Sequence, residues 1–302
     1  MTDLSKMKVI IAAGFILVSL LCHNDVAAQD DDLLSMIEED EEPVTEYAKA
    51  SFKTTRVINA QSIENVAKGV LDMKISHRFG RVNGGAYELF GLDEATIRIG
   101  LDYGVTDRLM VGWGRSSFEK TYDVFAKYKL FRQSSGERKM PLTLSWYAST
   151  AVTTEKFREQ DRPNYFSSRM YYTHQLLMGR KFSESFTMQL MPTFVHRNLT
   201  KNEDEKNDVY AFGAAARQKL TKRLAINVEY YYLLPDQVAD KYKNSLSIGF
   251  DIETGGHVFQ LHFTNSTSMI DRGFVTETTG DWLDGDVHFG FNVSRVFTIK
   301  KK

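Results

Sequence analysis

The sequence predicts an all-β fold, a closed antiparallel up-and-down transmembrane β-barrel of about 12 strands. Apolar and polar residues alternate along many short segments, and the polar connections between these segments alternate between long and short. The chain has 34 tyrosines and phenylalanines but only 5 prolines among its 302 residues, a composition that favours strands. The only long apolar run is at the start of the chain, which excludes a bundle of membrane helices.

The first residues are typical of a secretory signal peptide. Two lysines precede an apolar run over residues 9–21, and a small-residue cleavage site follows near Ala28. We therefore expect residues 1–28 to be removed on secretion. Cys22, the only cysteine, lies upstream of that site, so the mature chain would contain neither disulfides nor thiolate chemistry. Lipidation of Cys22 is the weaker alternative, because bulky Leu21 precedes it.

Charge is segregated between the next residues and the rest of the chain. Residues 29–50 are interpreted as an acidic flexible arm, and residues 47–302 carry 36 bases and 28 acids, a net charge of +8. Two readings stay open: a solvated tail, or a segment that binds a basic surface of its own chain. Nine acids and no base fall within residues 30–46: Asp30, Asp31, Asp32, Glu38, Glu39, Asp40, Glu41, Glu42 and Glu46.

Residues 51–69 have no clear helical or strand periodicity, and they stand directly before the first alternating segment. They are a candidate plug for the barrel, which we place at residues 70–302. The clearest predicted hairpin is "NSLSIGFDIETGGHVFQLHFTNS" (244–266), where two alternating segments meet at a turn formed by Gly255-Gly256. Such apolar rows occupy residues 71–75, 97–103, 109–113, 122–130, 142–146, 170–178, 186–190, 210–214, 226–232, 246–252, 257–263 and 289–297.

Long and short connections alternate along the chain, so they are predicted to lie at opposite ends of the barrel. The long ones are residues 80–95, 153–168, 198–208, 233–244 and 266–285, and the tight ones include "VTDR", "KFSES", "TKR" and "TGG". Residues 115–120 are short where a long link is due, and residues 132–139 are longer than a tight turn. Outer-membrane barrels keep short turns in the periplasm and long loops outside, so both termini are expected in the periplasm.

The direction of the apolar rows separates two classes of β protein. A soluble sandwich or a lipocalin would turn its apolar row inward, whereas an outer-membrane barrel turns that row to lipid and a polar row to the lumen. Secretion and alternating connections favour the second class. Aromatic residues near strand ends would then form the interfacial girdles, namely Tyr103, Trp113, Tyr171, Tyr172, Tyr230, Tyr231, Tyr232 and Phe297.

Several stretches resemble a Bacteroidota family of outer-membrane β-barrels of unknown function. The most distinctive are "TTRVINAQSIENVAKGVLDMKISHRFG" and "LFGLDEATIRIGLDYGVTDRLMVGWGRS", followed by "TYDVFAKYKLF" and the terminal "SRVFTIK". The resemblance covers roughly residues 50–302. It implies a barrel in the outer membrane of a Gram-negative bacterium, and it implies no substrate or catalytic residue.

Charges of both signs fall on the row that complements the apolar one. They either fill a narrow barrel as a stabilising ion-pair network or line a charged pore or ligand pocket. The residues predicted to line the lumen are Asp72, Lys74, Arg78, Arg98, Asp102, Lys127, Lys129, Arg217, Glu229 and His262, with Asp123, Gln175, Asn227 and Asp251 on the same row.

No motif indicates an enzyme, a cofactor or a metal site. A phospholipase would need a serine beside His174, which instead falls on the lipid-facing row. An omptin-like protease would need acidic and histidine pairs at the extracellular rim. Asp281, Asp284, Asp286 and His288 cluster there, but the glycines and Trp282 around them indicate a plain turn, and the cluster lacks the spacing of a calcium loop. Secretion disfavours a nucleic-acid partner. We expect a narrow pore or binding barrel for a small hydrophilic or anionic solute, surrounded by outer-membrane lipid. The main alternative is a closed structural or docking barrel that anchors a periplasmic or surface partner. An outer-membrane hydrolase is the less favoured alternative.

Overall fold

The computed structural model describes residues 44–157, 163–203 and 205–300. Within these residues, twelve antiparallel strands follow one another around one closed barrel, and the last strand pairs with the first. The predicted fold class is confirmed. The predicted signal peptide and residues 29–43 of the predicted acidic arm lie outside the described residues. No helix in the described part of the chain is long and apolar enough to cross a membrane.

The strands match the alternating rows of the sequence, and most extend beyond them. They are β1 (Val70–Arg81), β2 (Ala95–Gly104), β3 (Leu109–Ser116), β4 (Thr121–Phe131), β5 (Thr143–Thr153), β6 (Met170–Lys181), β7 (Phe186–Arg197), β8 (Asp208–Lys219), β9 (Leu224–Leu233), β10 (Ser245–Thr254), β11 (His257–Thr264) and β12 (His288–Thr298).

The β10–β11 hairpin shows which face of the sheet is inside. Phe250 is 42% exposed, whereas its neighbour Asp251 is 3% exposed, because successive side chains point to opposite faces. Across the hairpin Phe250 pairs with Leu261, which is also exposed, and Asp251 pairs with buried Gln260. The apolar row therefore faces outward, as the sequence predicts for a barrel in lipid.

The two ends of the barrel differ as predicted. One end of the barrel is here called the turn end. It holds the start of β1 and the end of β12, and most of the tight links, such as residues 105–108, 182–185, 220–223 and 255–256. The other end, the loop end, holds most of the long links. The link over residues 132–142 includes a short strand, Ser134–Ser135, which pairs with Glu46–Tyr47 ahead of the barrel. The loop-end links are residues 82–94, 117–120, 154–169, 198–207, 234–244 and 265–287.

Two pieces of chain fill the interior. Residues 51–66, here called the inserted segment, hydrogen-bond to inward side chains of several strands. From the loop end, the link over residues 265–287 folds inward and carries a fully buried helix, α1 (Asp271–Thr276). An apolar cluster joins the inserted segment, α1 and the strands, with Phe52, Val57, Ile63, Phe125, Tyr147, Leu177, Met191, Tyr231 and Phe274 among its members.

This cluster corrects two sequence expectations. The lumen row is not uniformly polar, because inward residues such as Tyr147 and Leu177 pack on the segments that fill the barrel. Tyr171 and Tyr231 do not belong to the lipid-facing girdles, since both are buried. The Tyr231 ring lies 5.5 Å from that of Phe274 in α1. These rings have an apolar partner inside because the interior is filled with protein.

Candidate functional site in the barrel interior

All ten residues that the sequence places on the lumen row are buried in the structure, as are the four neighbours on that row. They do not form one continuous array. Most contact the inserted segment or each other in separate groups, whereas Lys129 and Arg217 lie nearer the turn end of their strands. The role of each residue therefore follows from its own contacts.

One group surrounds the Lys74 ammonium. Its Nζ donates to the Asp102 carboxylate at 2.8 Å and also to the Asp72 carboxylate and the Thr55 hydroxyl. Thr55 belongs to the inserted segment, and its hydroxyl donates to Asp102 at 2.7 Å. A buried cation between two carboxylates is well compensated, and one of the two, Asp102, also holds the inserted segment through Thr55.

A second group pairs Arg98 with Asp123 across the β2, β3 and β4 strands. The Arg98 Nε donates to Asp123 Oδ1 at 2.9 Å and Nη2 to Oδ2 at 2.5 Å, which is the two-bond geometry that guanidinium and carboxylate groups favour. Gly114 makes room for it, because a Cβ there would lie 2.2 Å from Nη2. Both residues lie on barrel strands, so this ion pair joins β2 to β4 inside the barrel wall.

Arg78 joins the two pieces of chain that fill the barrel. Its Nη2 donates to Asn59 Oδ1 of the inserted segment at 2.8 Å and lies 3.1 Å from His262 Nε2. Its Nη1 donates to the carbonyl of Ser266, at the start of the inward-folded loop. The two filling segments are therefore linked through one guanidinium.

The inserted segment is a tight hairpin. Arg56 and Gln61 form an antiparallel bridge, the Ser62 amide donates to the Thr55 carbonyl at 3.0 Å, and the Val57 amide donates to the Ala60 carbonyl at 2.8 Å. The turn leaves the amides at its tip without backbone acceptors. Inside a barrel those amides need a partner, because an unpaired buried N–H costs about 1–3 kcal/mol.

Glu229 supplies that partner. Its carboxylate accepts hydrogen bonds from three consecutive amides at the tip, those of Ile58 at 3.1 Å, Asn59 at 2.9 Å and Ala60 at 3.0 Å. Three N–H groups that converge on one anion stabilise its charge. The carboxylate therefore acts as a receptor for the tip of the inserted segment.

Lys127 holds the opposite end of the same hairpin through its carbonyls. Its ammonium donates to the Glu64 carbonyl at 2.7 Å, the Ser62 carbonyl at 2.8 Å and the Gln61 side-chain oxygen at 3.2 Å. Glu229 thus binds the donors of the segment and Lys127 binds its acceptors. Both were predicted to line the lumen, and both are occupied by the chain's own backbone.

The sequence alone did not indicate two further contacts, those of Gln189 and Gly179. Gln189 accepts from the Ile63 amide at 2.8 Å and donates to the Gln61 carbonyl at 2.7 Å. A Cβ on Gly179 would lie 2.6 Å from Ile63 Cδ1, so this inward glycine makes the seat for the Ile63 side chain. The signal in the sequence was the glycine itself: a glycine on the inward row of a strand often marks a place where another segment comes close to the strand backbone.

At the loop end, charged residues tie α1 to neighbouring loops. Arg272 donates to Glu277 at 2.8 and 2.9 Å and to Glu119, and its guanidinium stacks 3.9 Å from the Tyr171 ring. Lys201 donates to Glu119 at 3.1 Å and to Glu277 at 3.0 Å. Burial by itself would raise the pKa of Glu119, but Arg272 and then Lys201 outweigh it and lower that pKa.

The residues weighed for catalysis do not assemble into an array. His174 lies on the outer face, stacked against Trp146. His288 bonds the Phe79 carbonyl and the Thr267 hydroxyl, and Asp286 pairs with Arg81 at 3.0 Å. Among the described residues, no group of three His, Cys, Asp or Glu side chains is placed to hold a metal ion.

A family model described as a membrane-bound β-barrel domain, DUF5777, matches residues 52–297. The chain belongs to this family. The match to the DUF5777 model starts within the inserted segment, so the family domain includes that hairpin as well as the strands. No curated protein matches this DUF5777 chain significantly.

Solved structures with a similar barrel include two porins and a channel. The NanC porin shares 9% identity over 76% of this chain and 98% of its own, with a TM-score of 0.46. The KdgM porin shares 9% over 76% and 99%, with a TM-score of 0.45. The COG4313 outer membrane channel from Pseudomonas putida F1 shares 13% over 78% and 97%, with a TM-score of 0.44.

Proposed function

We propose that this DUF5777 barrel is a narrow, gated pore for a small hydrophilic solute in the outer membrane of a Gram-negative bacterium. The observation that carries the proposal is the nature of the obstruction. The lumen is filled by two segments that enter from its ends, and inward polar side chains hydrogen-bond the backbone of the inserted segment. The Bacteroidota lineage stays a prediction of the sequence resemblance.

The size of the barrel supports a pore. Eight-stranded barrels are just wide enough for their own side chains to fill, and barrels of 16–18 strands hold an aqueous channel. This barrel is of intermediate size, and the extra space holds the inserted segment and α1. Withdrawal of the inserted segment would leave a narrow passage with charged and polar groups along much of its wall.

The groups that the inserted segment occupies suggest how such a passage would treat solutes. Lys127, Lys74 and Arg78 bind backbone or side-chain oxygens of the segment, and Glu229 binds its amides. Lys74 would keep the Asp72 and Asp102 carboxylates, and Arg78 would keep the Ser266 carbonyl. Lys127 and Glu229 would lose the segment atoms that they bind, and Arg78 would lose Asn59. These groups need new partners, because unpaired buried charges are costly, and two cations against one carboxylate favour anionic solutes.

A closed docking barrel is the second candidate, and one observation favours it. The segment forms several hydrogen bonds with each of Glu229 and Lys127. Its removal from the lumen would break all of them, at a high cost in free energy. A barrel with that interior would serve as an anchor for a periplasmic or surface partner. The two functions differ in whether the segment ever leaves the lumen.

Substitution of Gly179 by Leu tests the pore directly. The larger side chain would occupy the seat of Ile63 and expel it without changing any charge. In planar bilayers we expect the wild type to conduct rarely and the Gly179→Leu variant to show discrete channels with at least a tenfold higher open fraction. The measurement is the single-channel current of purified protein.

Gly256→Val is the matched control, because a Cβ at this turn glycine meets nothing within 4 Å. It should conduct like the wild type. Heat-modifiable migration on gels verifies that each variant is folded. A folded Gly179→Leu barrel that stays silent, with an accessible inserted segment, would exclude the pore and support the docking barrel.

A further inference from the structure

The lipid-facing row of the barrel carries few charges, and its arginines lie in two pairs at opposite ends. Along this row the twelve described strands hold four arginines and one aspartate, Asp208, but no lysine or glutamate. Arg81 and Arg115 are near the loop end, and Arg180 and Arg295 are near the turn end. An ionisable side chain on the lipid face is costly without a partner, so each arginine needs one.

The two arginines at the loop end have polar partners within the chain. Arg81 pairs with Asp286 at 3.0 Å, and the Arg115 Nε donates to the Tyr122 hydroxyl at 3.1 Å. The two at the turn end form neither a hydrogen bond nor an ion pair with any described residue. Each of their guanidinium groups lies over a phenylalanine ring, 5.1 Å from its centre. The turn-end arginines are therefore open to a partner from outside the chain.

Arg295 is the better placed of the two, because a second polar side chain adjoins it. His257 of β11 lies directly opposite Arg295 of β12, and both residues are on the lipid-facing row. Side chains in this relation have Cβ atoms about 4.5–5.5 Å apart. The His257 ring contacts the Phe259 ring at 6.0 Å and has no hydrogen-bond partner among the described residues. A guanidinium and an imidazole thus stand side by side with free N–H groups.

The surroundings of this pair are apolar, and the pair lies at the rim of the barrel. Arg295 is flanked on its other side by Met73 of β1, and Phe259 and Phe297 are 38% and 39% exposed on the same face. His257 is the first residue of β11, directly after the tight turn at residues 255–256. Strand ends of this kind lie where the hydrocarbon of a bilayer meets the lipid headgroups. The anions at that depth are the headgroup phosphates.

We propose that His257 and Arg295 form a binding site for the phosphate of a phospholipid headgroup. The guanidinium fork matches two phosphate oxygens, and the imidazole donates to the same phosphate. The acyl chains of the lipid lie on the apolar residues of the same row, among them Phe259. A bound lipid would hold β12, the strand that closes the barrel onto β1, at a fixed depth in the leaflet.

Native mass spectrometry of the protein purified from outer membranes tests this site. The two probes are phosphatidylglycerol and a diacylglycerol with the same acyl chains, which differ only in the phosphate-containing headgroup. We expect the wild type to retain phosphatidylglycerol and Arg295→Gln to lower the retained fraction at least threefold. Diacylglycerol should be retained weakly by both proteins. This readout does not depend on conduction, so it can fail or succeed whether or not the barrel is a pore.

Arg115→Gln is the matched control. It removes the same charge from the lipid-facing row, at a loop-end position where Tyr122 is the partner, and it should retain phosphatidylglycerol like the wild type. His257→Leu should give a smaller loss than Arg295→Gln, because it removes a donor and leaves the fork. Heat-modifiable migration on gels verifies that each variant is folded.

Two outcomes would overturn the proposal. Equal retention of phosphatidylglycerol by Arg295→Gln and Arg115→Gln would leave Arg295 as a surface cation without a specific ligand. Displacement of the lipid by excess inorganic phosphate would mean that the pair binds any phosphate and does not select a lipid. A lipid site keeps its ligand in excess phosphate, because the acyl chains add apolar contact that the free anion lacks.

Discussion

At the scale of single residues, Glu229 holds the tip of the inserted segment. It is 1% exposed, and its carboxylate receives three consecutive amides from the tip of the inserted segment. Hydrogen bonds to a charged group contribute about 1.5–3 kcal/mol each, although neighbouring bonds to one carboxylate do not add in full. No other acceptor in the described part of the chain bonds these three amides.

We expect Glu229→Gln to loosen the tip of the hairpin. The amide side chain has one oxygen in place of two and no charge, so it cannot serve three donors equally well. Hydrogen exchange in a peptide covering residues 52–66 should speed up at least tenfold, which corresponds to about 1.4 kcal/mol. Mass spectrometry of the folded protein measures that rate.

Asp123→Asn is the control for this substitution. It makes the same chemical change on the inward row, but Asp123 bonds Arg98 and not the inserted segment. Exchange in residues 52–66 should stay at the wild-type rate in this variant. Equal acceleration in both variants would mean that the segment responds to lost barrel stability and not to its own contacts with Glu229.

At the scale of elements, the link over residues 265–287 is the second part of the closure. Its helix α1 is buried, and Arg272 in that helix binds Glu119 from the β3–β4 link, where Glu119 has a positive φ of 49°. Lys201 from a third loop completes the ion-pair group. A strained loop residue, a helix and a long loop thus depend on the same charges.

The pH dependence of this group has a defined sign. Because Arg272 and Lys201 hold the pKa of Glu119 below its ordinary value of 4.5, its ion pairs stabilise the loop above about pH 4.5 and are lost as pH falls through the lowered pKa. We expect faster hydrogen exchange in residues 265–280 below that pH. Glu119→Gln should show the faster exchange already at pH 7, with a loss of about 1.5–3 kcal/mol in local stability.

Glu94→Gln removes a carboxylate from another loop-end link, where Glu94 is exposed and forms no ion pair within the described residues. Its exchange profile should follow the wild type at both pH values. If Glu119→Gln and the wild type behave alike at pH 7, the ion-pair group does not hold α1 in place, and apolar packing of Phe274 and Val275 must do so.

At the scale of the whole molecule, the difference between the two barrel ends predicts orientation. Outer-membrane barrels keep short turns toward the periplasm, so the turn end and the start of the inserted segment are predicted on that side. Cysteine at Glu203, in a loop-end link, should react with an impermeant maleimide on whole cells. Cysteine at Lys222, in a turn-end link, should react only after lysis. The opposite labelling pattern would invert this topology.

The sequence determined the wall of the barrel. Alternation along residues 246–252 and 257–263, with Gly255-Gly256 between them, specified both strands, their turn and their outward face. These features are local: side-chain direction has a period of two along a strand, and a row of Ile and Phe must meet an apolar surrounding. For the same reason the sequence identified the buried charges on the opposite row.

Only the tertiary structure decided what those charges do. Glu229 and the Ile58 amide stand 171 residues apart, and no period in the sequence relates them. Likewise, the need for glycine at position 179 arises only from the Ile63 side chain that packs against it. Tyr231 is buried against Phe274 of α1, an apolar partner that the sequence pattern does not show. Strand periodicity states which face a residue occupies, whereas the partner on that face is set by how the whole chain closes on itself, and hydrogen bonds depend on the partner.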